Sequence, residues 1–470
     1  MACPRLPHFA AALVLSLTLV ACRGTATPRA APSAAPSSTS TTTTSLPRAT
    51  SPSCPSIPAR AAPAPDRPRY VLTADVRTAE RVVSGGLKVR FTPNVDTDRL
   101  VFRLWPNGVD LSARGAKLDT GAVVVNGQTV AATADDPTTL VVHPQAVLRA
   151  RQPVDVAVGW TLRLPGPTGD RISVDGDAVR LGSFFPILSW EPGVGWQTDP
   201  STGGFAEDST APTADFDLTL TVPVGTSALA SGVNDRPGHW TATAMRDVAV
   251  SVGRFTTATG VAHAPDPVAV TVGVQAGVGE SPQAYRDKAI AVVEDFGRRF
   301  GPYPWPVLTL AVTPMLRGGI EYPGHVMLGP RTLSLVAAHE IGHQWFYALV
   351  GNDQGRDPWL DEGLATWAEA RFDGALERLR ATVVAADARD ELGAPMAYWA
   401  AHRAAYQTGA YVQGAQALDD LGDPDLVDCA LRVYVAQEAY GIARPSNLVA
   451  AASAVFPDAP ATFARYGVRP

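Results

Sequence analysis

The sequence has 470 residues, of which 46% are hydrophobic and 18% are charged, and its formal net charge is −6 at pH 7. This length accommodates two or three domains, and a mean hydropathy of +0.03 argues against wholesale disorder and against a polytopic membrane protein. Only three of the 39 basic residues are lysines, and the arginines are scattered, so no basic stripe indicates nucleic-acid binding. Four cysteines are too few for a disulfide-rich scaffold.

The first residues have the pattern of an export signal. A basic residue precedes an apolar run over residues 9–21 that is too short to span a bilayer comfortably. The end of the run, Leu19–Cys22, resembles a bacterial lipobox. This resemblance implies removal of the signal peptide 1–21, acylation of Cys22, and a lipoprotein at the outer face of the bacterial cell membrane. The alternative is an ordinary signal peptide cut near Ala21, which would leave the protein secreted.

Residues 22–67 are predicted to form an extended tether. They are almost wholly Ser, Thr, Pro and Ala, and such a stretch cannot bury enough apolar surface to fold. Once Cys22 is acylated, Cys54 and Cys429 are the thiols that remain after processing. An oxidising compartment permits them to pair, but the position of Cys54 in the tether leaves a disulfide open.

Residues 68–264 are predicted to form an N-terminal β domain. Hydrophobic residues alternate there with polar or small ones, most clearly over 154–164 and 216–222. Many short alternating strands with turn signals between them are typical of an antiparallel β-sandwich or saddle.

Helical patterns dominate residues 265–470, which form the second predicted domain. A helix is predicted between Ser281-Pro282 and Gly301-Pro302, because apolar residues recur on one face of that segment. One strand, Val307–Val312, is predicted after it, and the rest is expected to be largely helical.

The most informative segment is the motif from His339 to His343, with the sequence His-Glu-Ile-Gly-His. Residues four apart on a helix face the same way, so these two histidines can bind one ion with Glu340 beside it. A hydrolytic zinc site needs three protein ligands and an open position, and Glu362 is the expected third ligand, nineteen residues after His343. We therefore expect one Zn²⁺ per chain, with Glu340 as the general base that activates water.

The run 338–367 resembles the zinc helices of peptidase family M1, the gluzincins of the aminopeptidase N and leukotriene-hydrolase type. Two further motifs follow in the family's order: residues 318–322 (Gly-Gly-Ile-Glu-Tyr) stand where the family has GxMEN, and residues 411–415 (Tyr-Val-Gln-Gly-Ala) stand where it has Tyr-x-Lys-Gly-Ala. The β-rich part is similar to the family's N-terminal domain. The resemblance covers the chain from Pro68 onward, and it implies a mainly helical, thermolysin-like zinc peptidase domain at 265–470.

The resemblance also assigns roles to individual residues. It places Glu321, with Gly318 and Gly319, at a subsite for the free α-ammonium group of a peptide. It makes Tyr411 the hydrogen-bond donor to the tetrahedral oxyanion, a role for which Tyr406 competes.

Two further acids are weaker candidates. Glu369, seven residues after Glu362, would orient a zinc-binding histidine or contribute to the amine subsite, and Asp361 would support the metal site from outside the ligand set.

Three positions depart from the family pattern. Ile320 and Tyr322 replace Met and Asn, and Gln413 replaces Lys, which leaves the acid and the phenol in place but puts the shape of the substrate subsite in question. The sequence continues for only about 60 residues after Tyr411, so the resemblance implies a form without the large C-terminal helical domain of many relatives.

Three hypotheses about function remain open at this point. The first is a zinc aminopeptidase acting on peptides with free N-termini. The second is a zinc endopeptidase, or a peptidase with one dedicated substrate, because a missing C-terminal domain would leave the cleft open. The third is a lipid-anchored binding module with an inactive site, against which the complete set of expected ligands and the general base argue.

Overall fold

The computed structural model describes residues 52–203 and 211–469. The predicted signal peptide 1–21, the acylation site Cys22 and most of the predicted tether lie outside the described residues. Among the helices of the described part, none combines the length and the hydrophobicity needed to cross a lipid bilayer.

The N-terminal domain is built of strands whose side chains alternate between a buried and a solvent-facing side. Along Val154–Arg163, every second residue from Val154 is buried, as the alternation in the sequence predicts. In chain order, the described strands of this domain are β1 (Arg69–Arg77), β2 (Val82–Phe91), β3 (Leu100–Arg103), β4 (Lys117–Val125), β5 (Gln128–Asp136), β6 (Thr139–His143), β7 (Val154–Arg163), β8 (Ile172–Asp175), β9 (Ala178–Leu181), β10 (Ile187–Leu188), β11 (Trp190–Glu191), β12 (Gly195–Trp196), β13 (Ala214–Thr221), β14 (Ser227–Ala230), β15 (Val233–Arg236), β16 (His239–Met245) and β17 (Val250–Gly253).

These strands form one large sheet and two smaller ones. The large sheet has the strand order β10-β3-β6-β5-β4-β7-β2-β1-β13-β16-β15, and a second sheet has the order β14-β17-β9-β8. Strands β11 and β12 form a separate hairpin. Pairing between the described strands of the large sheet is antiparallel apart from β1 and β13, which run parallel. A 3₁₀ turn (Trp105–Asn107) and the short helix α1 (Val109–Ser112) follow β3.

The second domain combines a mixed sheet with helices. Its described strands are β18 (Phe255–His263), β19 (Pro267–Gln275), β20 (Val307–Val312), β21 (Gly319–Tyr322), β22 (His325–Leu328), β23 (Gly351–Asn352) and β24 (Ile442–Ala443). Its described helices are α2 (Pro282–Phe300), α3 (Val336–Gly342), α4 (Trp359–Phe372), α5 (Leu376–Ala381), α6 (Met396–Ala401), α7 (Arg403–Tyr406), α8 (Gln413–Asp419), α9 (Pro424–Glu438), α10 (Pro445–Ser453) and α11 (Ala459–Arg465), with a 3₁₀ turn at Ala386–Ala388 and a π-helical turn at Gln407–Val412.

Local signals place α2 and β20 correctly. Helix α2 begins at Pro282, and the hydroxyl oxygen of Ser281 caps it by accepting a hydrogen bond from the backbone N–H of Ala284. The apolar face predicted from the sequence is buried, and the helix ends at Phe300 before Gly301. Strand β20 has the predicted bounds.

The division between the two parts lies earlier than predicted. Strand β18 pairs with β19 along its whole length, and both belong to the sheet β18-β19-β20-β22-β21 of the second domain. The predicted boundary at residue 264 therefore falls inside this hairpin, and the change from one sheet system to the other comes at about Arg254. Glu321 lies within β21, the edge strand of the same sheet.

Residues 52–67, the last part of the predicted tether, are fixed on the folded chain, and we call them the strap. Cys54 forms a disulfide with Cys429 of α9, which answers the question that the sequence left open. The strap also bonds to both domains: the Arg60 guanidinium donates to the carbonyl oxygen of Pro302 (2.8 Å), the N–H of Ala61 donates to that of Ala436 (2.8 Å), and Arg67 pairs with Asp215 (2.8 Å). This part of the chain is therefore no extended spacer.

Removal of the disulfide should loosen the strap. We expect Cys54→Ser to lower the free energy of unfolding by about 2–4 kcal/mol, because the bond links residues that are 375 positions apart. Thermal unfolding and limited proteolysis within the strap measure the effect. As a control, a reductant should lower the melting temperature of the wild type but not that of the variant. Equal melting temperatures and equal protease resistance would contradict this role.

Candidate metal centre

Three metal-binding side chains converge between α3 and α4. His339 lies in α3, His343 follows its last residue, and Glu362 lies in the first turn of α4. The Nε2 atom of His339 is 3.1 Å from Nε2 of His343 and 3.1 Å from Oε2 of Glu362, and the latter two atoms are 3.4 Å apart. The three residues are 7%, 1% and 8% exposed, so the cluster is withdrawn from solvent.

The separations and the donor types suit a zinc ion. Nitrogen and oxygen ligands bind tetrahedral zinc at about 2.0–2.1 Å, which places two such ligands about 3.3 Å apart. The three atoms of the cluster therefore occupy three corners of a tetrahedron of the right size, as the spacing of the sequence motif predicts.

Neighbouring groups orient the histidines and the start of α4. The Nδ1 atom of His343 is 3.1 Å from the carbonyl oxygen of Phe346, an interaction that fixes the orientation of the ring. The Nδ1 atom of His339 is 3.6 Å from Oε2 of Glu369, close enough for a charge interaction though longer than a hydrogen bond. Glu369 therefore lies where the sequence analysis expects an orienting acid.

Asp361 acts on the backbone of α4. Its carboxylate accepts hydrogen bonds from the side chains of Asn352 (3.1 Å) and Gln354 (2.6 Å) and from the N–H of Glu362 (3.1 Å). These contacts hold the first turn of the helix that carries Glu362, so Asp361 supports the cluster without facing the metal-binding atoms.

Glu340 lies beside the cluster with one oxygen unpartnered. Its Oε2 atom is buried and has no hydrogen-bond partner among the described residues, and burial raises the pKa of this carboxyl. Gly319 makes room for it, because a Cβ at position 319 would lie 2.3 Å from Cγ of Glu340. A buried carboxyl with a raised pKa and a free oxygen is suited to exchanging protons near neutral pH.

Glu321 reaches the same place from β21. Glu321, Glu340 and His343 each offer one ligand-type atom, and these three atoms lie within 4.8 Å of one another. Glu321 is only 8% exposed, and Gly318, just before the strand, adopts a φ of +76°. The fold thus brings together the predicted amine-binding acid, the predicted base and a predicted ligand.

Tyr411 contacts the cluster directly. Its hydroxyl donates a 2.6 Å hydrogen bond to Oε1 of Glu362, and its ring is nearly parallel to that of His339 at 5.5 Å. Burial and the charge of Glu362 raise the pKa of the phenol well above its ordinary value, so it keeps the proton that a donor needs. Tyr406 packs edge-on against Tyr411 at 5.5 Å.

The position of Tyr411 depends on the close approach of two helices. The π-helical turn that carries it leads into α8, which passes so close to α4 that a Cβ on Gly363 would lie 2.9 Å from Cα of Gly414. Gly414, the glycine of the motif that begins at Tyr411, is therefore needed for the close packing of α8 against α4. Gln413, where the family pattern has Lys, is structural: its amide donates to the carbonyl oxygen of Ala388 at 2.8 Å.

Gln344, the residue after His343, has a structural role that the sequence motifs do not indicate. Its buried side chain accepts a hydrogen bond from the N–H of Gly324 (2.8 Å) and donates one to the carbonyl oxygen of Tyr322 (3.0 Å). It thereby joins the β21–β22 turn to the chain that carries the histidines. The available signal was a polar amide that directly follows the second histidine and precedes the apolar run 345–350.

The β-rich domain precedes a helical domain, and the helical domain carries the buried His-His-Glu cluster, a group that is able to bind a metal ion. Residues 288–456 match the peptidase family M1 domain, which the sequence motifs of this chain resemble. The predicted resemblance is confirmed over these residues, and the His-His-Glu cluster is a group that is able to bind the predicted metal ion.

Characterised relatives match over short segments. Leukotriene A-4 hydrolase from Xenopus laevis is 37% identical over 101 residues, which are 20% of this chain and 16% of that protein. Aminopeptidase B from Homo sapiens is 32% identical over 126 residues, which are 24% of this chain and 19% of that protein. The matched segments thus span less than a fifth of these relatives.

Solved structures match over most of the chain. The M1 zinc metallopeptidase from Deinococcus radiodurans has a TM-score of 0.63 at 21% identity, and the match covers 86% of this chain and 95% of that chain. A mutant of the same enzyme bound to a Tyr-Ser-Ala substrate also has a TM-score of 0.63. This likeness confirms the predicted fold, a β-rich domain followed by a mainly helical one.

Loss of any one ligand should abolish stoichiometric zinc binding. We expect His339→Ala and Glu362→Ala to purify with far less than one zinc per chain, because two protein ligands hold the ion much more weakly than three. Glu340→Gln is the matched control, since it changes a neighbouring acid and should retain zinc. Metal analysis after dialysis against a weak chelator measures this, and full zinc content in both ligand variants would refute the ligand set.

Proposed function

We propose that the protein is a zinc-dependent aminopeptidase that hydrolyses the first peptide bond of peptides with a free N-terminus. The observation that carries this proposal is the buried carboxylate of Glu321, with an oxygen within 4.8 Å of ligand-type atoms of both Glu340 and His343. If the ammonium group of a substrate peptide pairs with Glu321, the first peptide bond of that substrate would lie beside Glu340 and the metal ligands.

The residues around that bond have separate tasks in the proposed reaction. His339, His343 and Glu362 would hold a zinc ion, which when bound would supply the Lewis acidity that makes water nucleophilic near neutral pH. Glu340, with its unpartnered buried oxygen, takes the proton from the attacking water and passes it to the leaving amine. The Tyr411 hydroxyl, which donates to Glu362 in the free protein, donates instead to the oxyanion that forms in the reaction.

Substitution of Glu321 should remove the preference for a free amine. We expect Glu321→Ala to lower kcat/KM on a free-amine peptide by a factor that corresponds to a loss of about 2–5 kcal/mol of transition-state stabilisation, because a charge-assisted pair in a desolvated site is lost. The same change should matter little for the N-acetylated peptide, which has no ammonium to bind. Glu321→Gln, which keeps the shape and removes the charge, should behave like the alanine variant.

A matched pair of free and acetylated peptides makes this measurement. Equal losses on both peptides, or a wild type that prefers the acetylated one, would favour the endopeptidase alternative instead.

We also propose that the protein is exported and held at the outer face of a bacterial cell membrane through acylated Cys22. The lipobox-like sequence Leu19–Cys22 supports this, as does the Cys54–Cys429 disulfide, since disulfides persist in oxidising compartments.

The anchor can be tested at a single position. We expect Cys22→Ser to release the protein from the membrane fraction or to stall its processing, because multiple acyl chains on one cysteine supply stable anchoring at about 0.8 kcal/mol per buried CH₂. Cell fractionation and labelling with a fatty-acid analogue measure this. A native protein that takes up no lipid label, with a variant that fractionates identically, would rule the anchor out.

A further inference from the structure

Glu321 lies on a buried strand that is hydrogen-bonded to a neighbouring strand on one side. Strand β21 is the edge of its sheet and pairs with β22 alone among the described strands. Neighbouring residues of a strand point to opposite faces, so Tyr322 points away from the face on which Glu321 meets the base. Whatever holds the Tyr322 side chain therefore also determines where the carboxylate of Glu321 is presented.

The phenol of Tyr322 is held by the N-terminal domain. The Arg171 guanidinium donates a 3.3 Å hydrogen bond to the phenolic oxygen, and the Ser183 hydroxyl lies 3.2 Å from it. Ser183 in turn donates to the buried carboxylate of Asp247 at 3.0 Å. Tyr322 is fully buried, so these polar contacts replace water that the hydroxyl cannot reach.

The N-terminal domain also has the shape to receive this ring. A Cβ at Gly182 would lie 2.2 Å from the phenolic oxygen, so the absence of a side chain there makes room for the tyrosine. A small apolar cluster, separate from the main core, surrounds the same point and draws its members from both domains: Ala249, Leu316, Ile320, Tyr322 and Met327.

The main chain of Tyr322 is held by a residue of the metal-binding segment. Gln344, next to the ligand His343, donates to the carbonyl oxygen of Tyr322 at 3.0 Å. One residue is thus fixed by the metal-binding segment through its backbone and by the N-terminal domain through its phenol, and Glu321 is the residue directly before it.

We propose that Tyr322 is a positioning residue that uses Arg171 and Ser183 of the N-terminal domain to hold Glu321 at the substrate amine. This inference rests on the proposed role of Glu321, and it explains the tyrosine in a motif where the family pattern has Asn. Through these contacts, the N-terminal domain contributes to the selection of substrates that have a free N-terminus.

The direct test removes the hydroxyl and keeps the ring. We expect Tyr322→Phe to raise KM for a free-amine peptide about 5- to 30-fold, with a smaller change in kcat and an unchanged zinc content. Ser183→Ala removes a partner from the other domain and should raise the same KM by a smaller factor. Tyr303→Phe is the matched control, because it deletes another buried hydroxyl, which donates to the carbonyl oxygen of Val307, and it should leave KM unchanged.

Ligand binding supplies a readout that does not depend on turnover. Tyr322→Phe should weaken the binding of alanine hydroxamate, which carries an ammonium group, and leave the binding of acetohydroxamate, which lacks one, unchanged. Equal weakening of both ligands would mean that the substitution disturbs the whole site, and it would overturn the positioning role.

A double-mutant cycle separates this inference from the proposed function. If Tyr322 acts through Glu321, the effect of Tyr322→Phe on KM disappears in the Glu321→Ala background. An effect of full size in that background overturns the inference and leaves the aminopeptidase proposal intact. A Glu321→Ala variant with an unchanged preference for free over acetylated peptides overturns the proposed function, and this inference with it.

Discussion

His339, His343 and Glu362 are buried close together, and the packing of the second domain around them must hold them in that arrangement. Two imidazole nitrogens 3.1 Å apart, both out of water, cannot present their lone pairs to each other without a proton or a metal ion between them. Holding them there requires a rigid surrounding. Helix α3, which carries the first histidine, has six buried residues out of seven, so packing fixes it on nearly every side.

Small residues allow the helices around this cluster to approach each other. A Cβ on Gly342 of α3 would be 3.4 Å from Cα of Ala365 in α4, and α4 passes still nearer to α8, where a Cβ on Gly363 would be 2.9 Å from Cα of Gly414. Because the helices are so close, Tyr411 of the π-helical turn can donate its hydrogen bond directly to Glu362 of α4. The polar chemistry of the site therefore depends on apolar packing one turn away from it.

Features set by local sequence could be predicted, and features set by distant contacts could not. The spacing of His339 and His343, the cap at Ser281 and the strand β20 are encoded within a few residues, and the structure has them as expected. Alternation predicts that a segment is a strand but not which sheet it joins, so β18 was placed in the wrong domain. Cys54 and Cys429 are 375 residues apart, and their pairing follows from where the whole chain folds.

The junction between the domains differs in character along its length. Asp199 pairs with Arg356 near the surface, where both side chains are substantially exposed, and such a pair contributes little stability. At Tyr322 the junction is instead buried, apolar and hydrogen-bonded, and a packed contact of that kind has one arrangement rather than many. The buried point is thus the one that can fix distances, and it lies one residue from Glu321. Placement of Glu321 near the predicted metal ligands is therefore a property of both domains together, although every predicted ligand and the predicted base belong to the second.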